Sequence, residues 1–328
     1  MKLAILGTGF IVKEGALPAL KNVPEIEVAA IFARNKDKAD DLATKNEIPA
    51  IYTDYDELLA NPEIEFVYVG LTNSVHYEYT KRALLAGKNV IVEKPFASTA
   101  AEVAELRDLA LSKNLYVFEA VTLLHLPNFA AIREALPKLG KIRAVVANYS
   151  QYSSRYDKYL AGEVLPVFDP ARSGGALYDI NIYNLNFIIG LFGAPLEVQY
   201  TANIGFNGVD ISGLVTMKYD GFFAAALGAK DSESPSFISI QGEKGYVKVL
   251  GAPNELTAFE MHLRNSGEIT KYELNKYSHR MVHEFKEFER IYREKNFNEM
   301  RGWLDVSLAV LQTAEKARKQ AGIIFACD

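Results

Sequence analysis

Residues 1–120 alternate short apolar, β-rich runs with amphipathic helical stretches, and no other feature limits the possible folds as strongly. The apolar runs cover 3–6, 28–32, 66–71, 90–92 and 115–118. Helical periodicity fills 12–21, 36–46, 74–86 and 99–113 between them. Continuous apolar strands separated by helices predict a parallel sheet covered on both faces. Local punctuation agrees. Thr99 and Glu102 have capping-box spacing, and Gly87 ends a helix just before a strand at Asn89.

After Glu119 the rhythm changes. A helix at 128–136 leads into a long strand at 141–152, and Ser173-Gly174-Gly175 opens a helix that runs to about 191. Between 196 and 274, alternating strands are broken by Asn207-Gly208, Asp220-Gly221 and Gly242-Glu243-Lys244-Gly245. These are hairpin signals, so this second sheet should be mainly antiparallel. Helices at 278–295 and 303–320 close the chain. At 328 residues it exceeds one comfortable core. The expected class is α/β: an N-terminal Rossmann domain, 1–120, with a doubly wound parallel sheet, then an α+β domain, 121–328. The second domain should carry a large, open, mainly antiparallel sheet, with helix 303–320 free to pack back on the first.

Composition excludes several function classes. Net charge is −5 with both signs interspersed, which leaves no electrostatic footprint for nucleic acid. The only cysteine is Cys327, so no intramolecular disulfide can form, in keeping with a reducing cytosol. No apolar run approaches the ~18 residues of a membrane span. The first strand begins at Lys2, with no secretory leader ahead of it. A cytoplasmic protein without membrane or nucleic-acid partners is expected.

Gly7-Thr8-Gly9 follows a strand and opens a helix, which is the context a dinucleotide fingerprint requires. Its glycines permit the tight turn and let a pyrophosphate approach the positive helix start, where Phe10 and Ile11 lie. The third position, usually Gly or Ala, is Val12, which implies wider helix–strand packing. A tight βα turn without ligand is the plain alternative. The second strand ends Ile31-Phe32-Ala33-Arg34-Asn35, with no carboxylate to hold ribose hydroxyls. The Arg34 guanidinium suits a 2′-phosphate and adenine stacking instead, against the alternative of a plain surface arginine. NADP(H) is therefore expected over NAD(H).

Lys94 ends the strand in Val90-Ile-Val-Glu93-Lys94-Pro95-Phe96. Ligands sit outside the carboxyl ends of such strands, and Pro95 fixes the backbone there. An ammonium beside a carbonyl polarises it and stabilises developing alkoxide charge; the alternative is a solvated strand-end lysine. Further on, Asp179 and Tyr183 are four apart on a helix and share a face, behind the paired glycines 174 and 175 that allow a ligand or another surface to approach. In general an ammonium beside a phenol eases loss of the phenolic proton. Lys94, Asp179 and Tyr183 are the candidate catalytic set.

In order and separation, Gly7-Thr8-Gly9, Thr72-Asn73-Ser-Val-His76, residues 86–95, Glu119-Ala120 and residues 174–183 resemble the glucose–fructose oxidoreductase / inositol dehydrogenase / rhizopine-catabolism (Gfo/Idh/MocA) family over essentially the whole chain. Tyr183 stands where inositol dehydrogenase-like members have His. That is similar to the branch of glucose–fructose oxidoreductase, dimeric dihydrodiol dehydrogenase and NADP-linked xylose dehydrogenases. The resemblance implies Tyr183 as general acid/base, Lys94 orienting the substrate oxygen, and Asp179 bonding substrate or fixing the pair. It adds Thr72, Asn73, His76, Glu93 and Lys94 to the cofactor contacts, His76 as a support near the ribose. It implies hydride transfer between nicotinamide and a secondary alcohol or carbonyl of a sugar, cyclic polyol or dihydrodiol, with no metal. It also implies a homodimer or higher homo-oligomer through the free face of the second sheet.

Two departures matter. Asn181 replaces a usual glycine, which changes local backbone or pocket polarity. The stretch Val121-Thr-Leu-Leu-His125 lacks the Arg-Phe pair of many relatives, leaving His125 as a candidate substitute. Tyr152, Arg155, Tyr156, Asp169 and Arg172 flank the expected cleft as substrate contacts. A cofactor-sensing regulator without turnover is the rival reading, disfavoured by Lys94 and Tyr183 occurring together. Retention of one cofactor between two sugars stays open.

Overall fold

The computed structural model describes residues 1–328 and divides into two compact units. The first comprises Met1–Ala120 with His279–Leu308, the second Val121–Ser278 with Ala309–Asp328. In the first, six strands lie in the order β3-β2-β1-β4-β5-β6. They are β1 Lys2–Leu6, β2 Glu27–Phe32, β3 Ala50–Tyr52, β4 Phe66–Val69, β5 Asn89–Glu93 and β6 Val117–Ala120. Every pairing is parallel, and β1 and β4 are wholly buried past Lys2. Strand order reverses between β1 and β4, the switch point where doubly wound sheets take ligands.

The helices follow from their caps. Asn35 accepts from Lys38 N–H at 3.0 Å to start Lys36–Asn46. Thr99 and Glu102 form the full capping box of Ala100–Lys113. Strand β3 and the helix Tyr55–Ala60 have no counterpart in the sequence reading. A half-buried strand of three residues gives too few positions for periodicity to register.

Helix Met281–Arg293 belongs with the first unit, although the sequence division placed everything after 120 in the second. Aromatic packing is the reason. Phe288 stacks on Phe118 at 4.6 Å, Phe285 lies 5.9 Å from Tyr68, and Tyr292 meets Phe66 edge-on at 4.8 Å. The long helix Phe297–Gln320 starts in the first unit and ends in the second.

The second unit holds eight strands in the order β14-β13-β12-β11-β7-β10-β9-β8. They are β7 Ile142–Ser150, β8 Glu197–Ile204, β9 Asp210–Tyr219, β10 Phe222–Ala229, β11 Phe237–Gly242, β12 Gly245–Leu250, β13 Phe259–Leu263 and β14 Ile269–Tyr272. Only β7 and β10 pair in parallel; the rest are antiparallel. The Asp220-Gly221 turn joins β9 to β10 with Gly221 at φ 81°, a conformation that favours glycine.

One face of this sheet is covered by a π-helical turn, Leu177–Asn181, that continues as the α-helix Ile182–Phe192. Asn181 explains the close fit. Its side chain is fully buried and donates to Ala226 O at 2.9 Å, and Asn184 donates to Leu227 O at 2.9 Å and to Asn181 Oδ1 at 2.8 Å. A Cβ at Gly228 would fall 2.5 Å from Asn181 Cβ. Gly228 on the strand thus makes room for Asn181 on the helix, and the buried Asn181 modifies packing rather than pocket polarity. The opposite face presents Leu214, Phe223, Leu227, Tyr246 and Leu250 to solvent.

Candidate active site

The switch point of the first unit is built around two glycines. Gly7 has φ 105° and its N–H donates to Phe32 O at 2.9 Å; a Cβ there would fall 2.6 Å from Gly70 O. Gly70 is matched to Val12, whose Cγ2 would lie 2.6 Å from any Cβ at residue 70. The fingerprint's missing third glycine is replaced by one at the end of the neighbouring strand, so Val12 does not widen the packing. Gly9 differs: a Cβ there would meet nothing within 4 Å. The protein's own packing makes no demand for glycine at that point, and the open space above a helix start suits a close pyrophosphate. Phe10 is exposed and Ile11 half-exposed at the start of the π-helical segment Ile11–Ala16. Arg34 is exposed just past β2, with neither hydrogen bond nor ion pair to the chain. The residues present fit a dinucleotide.

Thr72 and Asn73 form the half-buried turn after β4. His76 does not join them at a surface. Its side chain is fully buried, with Nδ1 2.9 Å from Pro95 O and Nε2 3.0 Å from Leu71 O. Burial holds its pKa below the usual range, so the neutral ring donates to one carbonyl at a time. His76 braces the turn after β4 against the turn after β5. Glu93 also points inward, accepting from Tyr68 Oη at 2.5 Å, with burial raising its pKa. Lys94, half-buried, follows it, and the Lys94–Pro95 peptide bond is cis.

A second buried carboxyl supports the same turn. Glu119 sits on β6, where Val92 and Glu119 are register partners, and its Oε1 accepts from Phe96 N–H at 2.8 Å. Burial pushes its pKa up to about 7, with the nearby Glu93 charge adding to the rise; Ser307, Phe96 N–H and Lys94 oppose it. Glu119 was legible only as part of a motif, and nothing local in the sequence tells that it is buried.

In the second unit, Asp179 and Tyr183 lie either side of the change from π to α geometry. The paired glycines before them admit the protein itself. A Cβ at Gly174 would fall 2.6 Å from Pro166 O, and one at Gly175 would strike the Asp210 carboxylate. Asp210 is buried, its pKa raised by burial, and accepts from Leu177 N–H at 2.6 Å and Tyr200 Oη at 2.7 Å. It anchors the start of the helical segment that carries Asp179. The Asp179 carboxylate pairs with the Lys230 ammonium. Lys230 is 7% exposed at the end of β10 while Asp179 remains 32% exposed. Tyr183 is half-buried against Tyr149, ring centroids 5.9 Å apart. Lys230, which holds the Asp179 carboxylate, has no place in the sequence reading.

Tyr152, whose Oη donates to Asp157 at 2.7 Å, meets Tyr156 edge-on at 5.5 Å, and Tyr156 continues onto Phe168 at 5.7 Å. Arg155 and Arg172 are exposed, and Asp169 is occupied in capping Ala171 N–H at 2.9 Å. His125, half-buried, closes an otherwise buried 3₁₀ turn, Thr122–His125. A hollow of about 640 Å³ on the second sheet, lined by Gln241, Tyr246, His262 and Arg264 among others, includes none of these residues. No cluster of metal-ligating side chains is present.

Residues 1–121 match the family model described as an oxidoreductase family with an NAD-binding Rossmann fold. Residues 129–248 match the Gfo/Idh/MocA C-terminal domain. The chain belongs to the Gfo/Idh/MocA family. As a Gfo/Idh/MocA protein it is an NAD(P)-dependent oxidoreductase. It is 32% identical to the scyllo-inositol 2-dehydrogenase (NADP⁺) IolU of Bacillus subtilis, over 100% of this chain and 99% of that one. It is 31% identical to the trans-1,2-dihydrobenzene-1,2-diol dehydrogenase of Sus scrofa, over 73% of this chain and 71% of that one. Among solved structures, KijD10, a 3-ketoreductase from Actinomadura kijaniata, superposes with a TM-score of 0.84 at 21% identity, covering 98% and 97% of the two chains. At that identity the superposition speaks for the fold. No helix is long and apolar enough to cross a membrane.

Proposed function

We propose that this Gfo/Idh/MocA protein is an NADP-preferring dehydrogenase or reductase acting on a secondary alcohol or ketone of a cyclic polyol, sugar or dihydrodiol. The carrying observation is the way Asp179 is held: a buried ammonium fixes it from behind, a third of the side chain stays open, and Tyr183 follows one turn on. Such a carboxylate can only accept hydrogen bonds, so it suits a hydroxyl-bearing substrate. The relatives that act on scyllo-inositol and on a trans-dihydrodiol support the same class. The unpaired Arg34 and the NADP⁺ named for the inositol relative support the cofactor preference.

When bound, the nicotinamide donates or accepts the hydride. The chain's own residues orient the substrate and move its proton. Tyr183 Oη exchanges the proton of the reacting hydroxyl, and Lys94 stabilises oxygen charge as that proton departs. Asp179 accepts from a substrate hydroxyl and sets which carbon is presented. Glu119 and His76 hold the Lys94–Pro95 turn from within.

A panel of scyllo-inositol, a trans-dihydrodiol and ring sugars, each offered with NADP⁺, tests this reading through the absorbance of reduced cofactor. Turnover of at least one polyol is expected, and faster with NADP⁺ than with NAD⁺. Absence of turnover across the panel with both cofactors would count against the substrate class.

The apolar residues on the free sheet face, Phe223 and Leu227 among them, support assembly of two or more copies through that face. Light scattering should give at least a dimer for the parent and a smaller species for the Phe223→Asp/Leu227→Asp double variant. A parent that scatters as a monomer removes the interface.

A further inference from the structure

The geometry points to Lys230 as a positioning residue that fixes the Asp179 carboxylate for recognition of a substrate hydroxyl. This rests on the role proposed above for Asp179 and adds a second residue to it. Three observations carry the inference.

First, burial is asymmetric across the pair. Lys230 is 7% exposed and Asp179 32%, so the ammonium serves the carboxylate rather than the solvent. A surface lysine would be solvated, and its ion pair would contribute little. A lysine this buried needs compensation, and its aliphatic stem and head are enclosed by protein, with the ammonium 5.7 Å from the centre of the Phe168 ring.

Second, the backbone of Lys230 is fixed on both sides. Its N–H donates to Ile211 O at 2.9 Å, and its carbonyl accepts from Ser153 N–H at 2.9 Å. The residue therefore sits on a rigid extension of β10, held between the ends of β7 and β9. A side chain on such a base can locate its partner closely, as a loop lysine could not.

Third, Asp179 lies on a π-helical turn, Leu177–Asn181, whose start is tied to Asp210 through Leu177 N–H. That anchor sets the backbone of the turn. Lys230 adds a side-chain constraint to that backbone anchor. One carboxylate oxygen, Oδ2, is engaged by the ammonium. A carboxylate held in one orientation can only accept hydrogen bonds, which suits a secondary hydroxyl rather than a carboxylate or phosphate group.

The test is a double-mutant cycle on the full-length protein, using Lys230→Met, Asp179→Asn and the pair together. The probe is the polyol turned over by the parent, and NADPH affinity is measured separately by calorimetry. Lys230→Met should raise KM for the polyol by about tenfold or more, the loss typical of a charge-assisted hydrogen bond, with NADPH affinity within about twofold of the parent. Lys230→Arg should recover most of the loss. The double variant should be no worse than Asp179→Asn, because Lys230 acts only through that carboxylate. Lys230→Gln, which keeps a donor, replaces Lys230→Met if the methionine variant melts early.

Parent-like KM in Lys230→Met beside an impaired Asp179→Asn overturns the role of Lys230 and leaves the proposed function standing. Additive losses in the double variant overturn it too, since Lys230 would then act independently. Parent-like kinetics in Asp179→Asn overturn the Asp179 assignment itself, and the role of Lys230 with it.

Discussion

Tyr183→Phe is expected to lower kcat by about 10²–10⁴-fold, the range general acid–base groups supply. NADPH affinity and melting temperature should stay close to the parent. The argument is one of subtraction. The ring packs against Tyr149 at 5.9 Å, and phenylalanine keeps that contact. Only the hydroxyl is removed. If Tyr183 passes the substrate proton, the loss appears in kcat and kcat/KM together, since the interaction is made in the transition state. Steady-state kinetics with the polyol found by the panel measure it. A variant that keeps most of its kcat places the proton transfer elsewhere.

The second large effect concerns stability. Glu119 has an ordinary value of 4.5, raised in the folded protein to about 7. Between those values the folded state holds a proton that the unfolded state has released. Stability contributed by this group is therefore fully present below pH 4.5 and lost as pH rises through 7. The penalty above pH 7 is on the order of 3 kcal/mol. Glutamine cannot ionise, and its amide oxygen can still accept from Phe96 N–H. Glu119→Gln should thus match or slightly trail the parent at pH 5 and exceed it at pH 8, as read from paired thermal melts. Groups away from this pair titrate alike in both proteins, so the difference reports Glu119 together with its coupling to Glu93. A melting difference that stays flat across that range would show that Glu119 is ionised throughout.

Much of the fold was legible because it depends on local rules. The helix Lys36–Asn46 appeared from periodicity alone, and the capping box at Thr99 set the start of Ala100–Lys113. Glycines in the hairpins of the second sheet announced antiparallel pairing. What the sequence hid was compensation between distant positions. Val12 looked like a flaw in the fingerprint until Gly70 supplied the missing space. Asn181 looked like a change in the pocket, yet Gly228 on β10 receives it and its amide spends itself on a strand carbonyl.

The candidate site follows the same division. Lys94, Asp179 and Tyr183 stood out because residue type, spacing and strand-end position coincide in one short stretch each. Lys230 did not, because it meets Asp179 across 51 residues of chain and carries no motif of its own. A single lysine after an apolar strand reads as a solvated end. His76 and Glu93 were legible as members of motifs, but a motif does not tell which way a side chain turns. Both turn inward, to Pro95 O and to Tyr68. The exchange of Met281–Arg293 into the first unit was hidden for a related reason: amphipathicity tells that Phe285 and Phe288 are buried, and nothing about which sheet buries them.

Calorimetric titration of the cofactor-free protein with NADPH and, separately, with NADH tests the account most directly. The two ligands differ only at the 2′-phosphate, the group for which Arg34 is proposed as the partner. NADPH should bind more tightly by about tenfold or more, and Arg34→Ala should bring the two affinities together. Tighter binding of NADH, or an Arg34→Ala variant with undiminished preference for NADPH, would contradict the cofactor assignment; absence of binding by either would contradict the site itself.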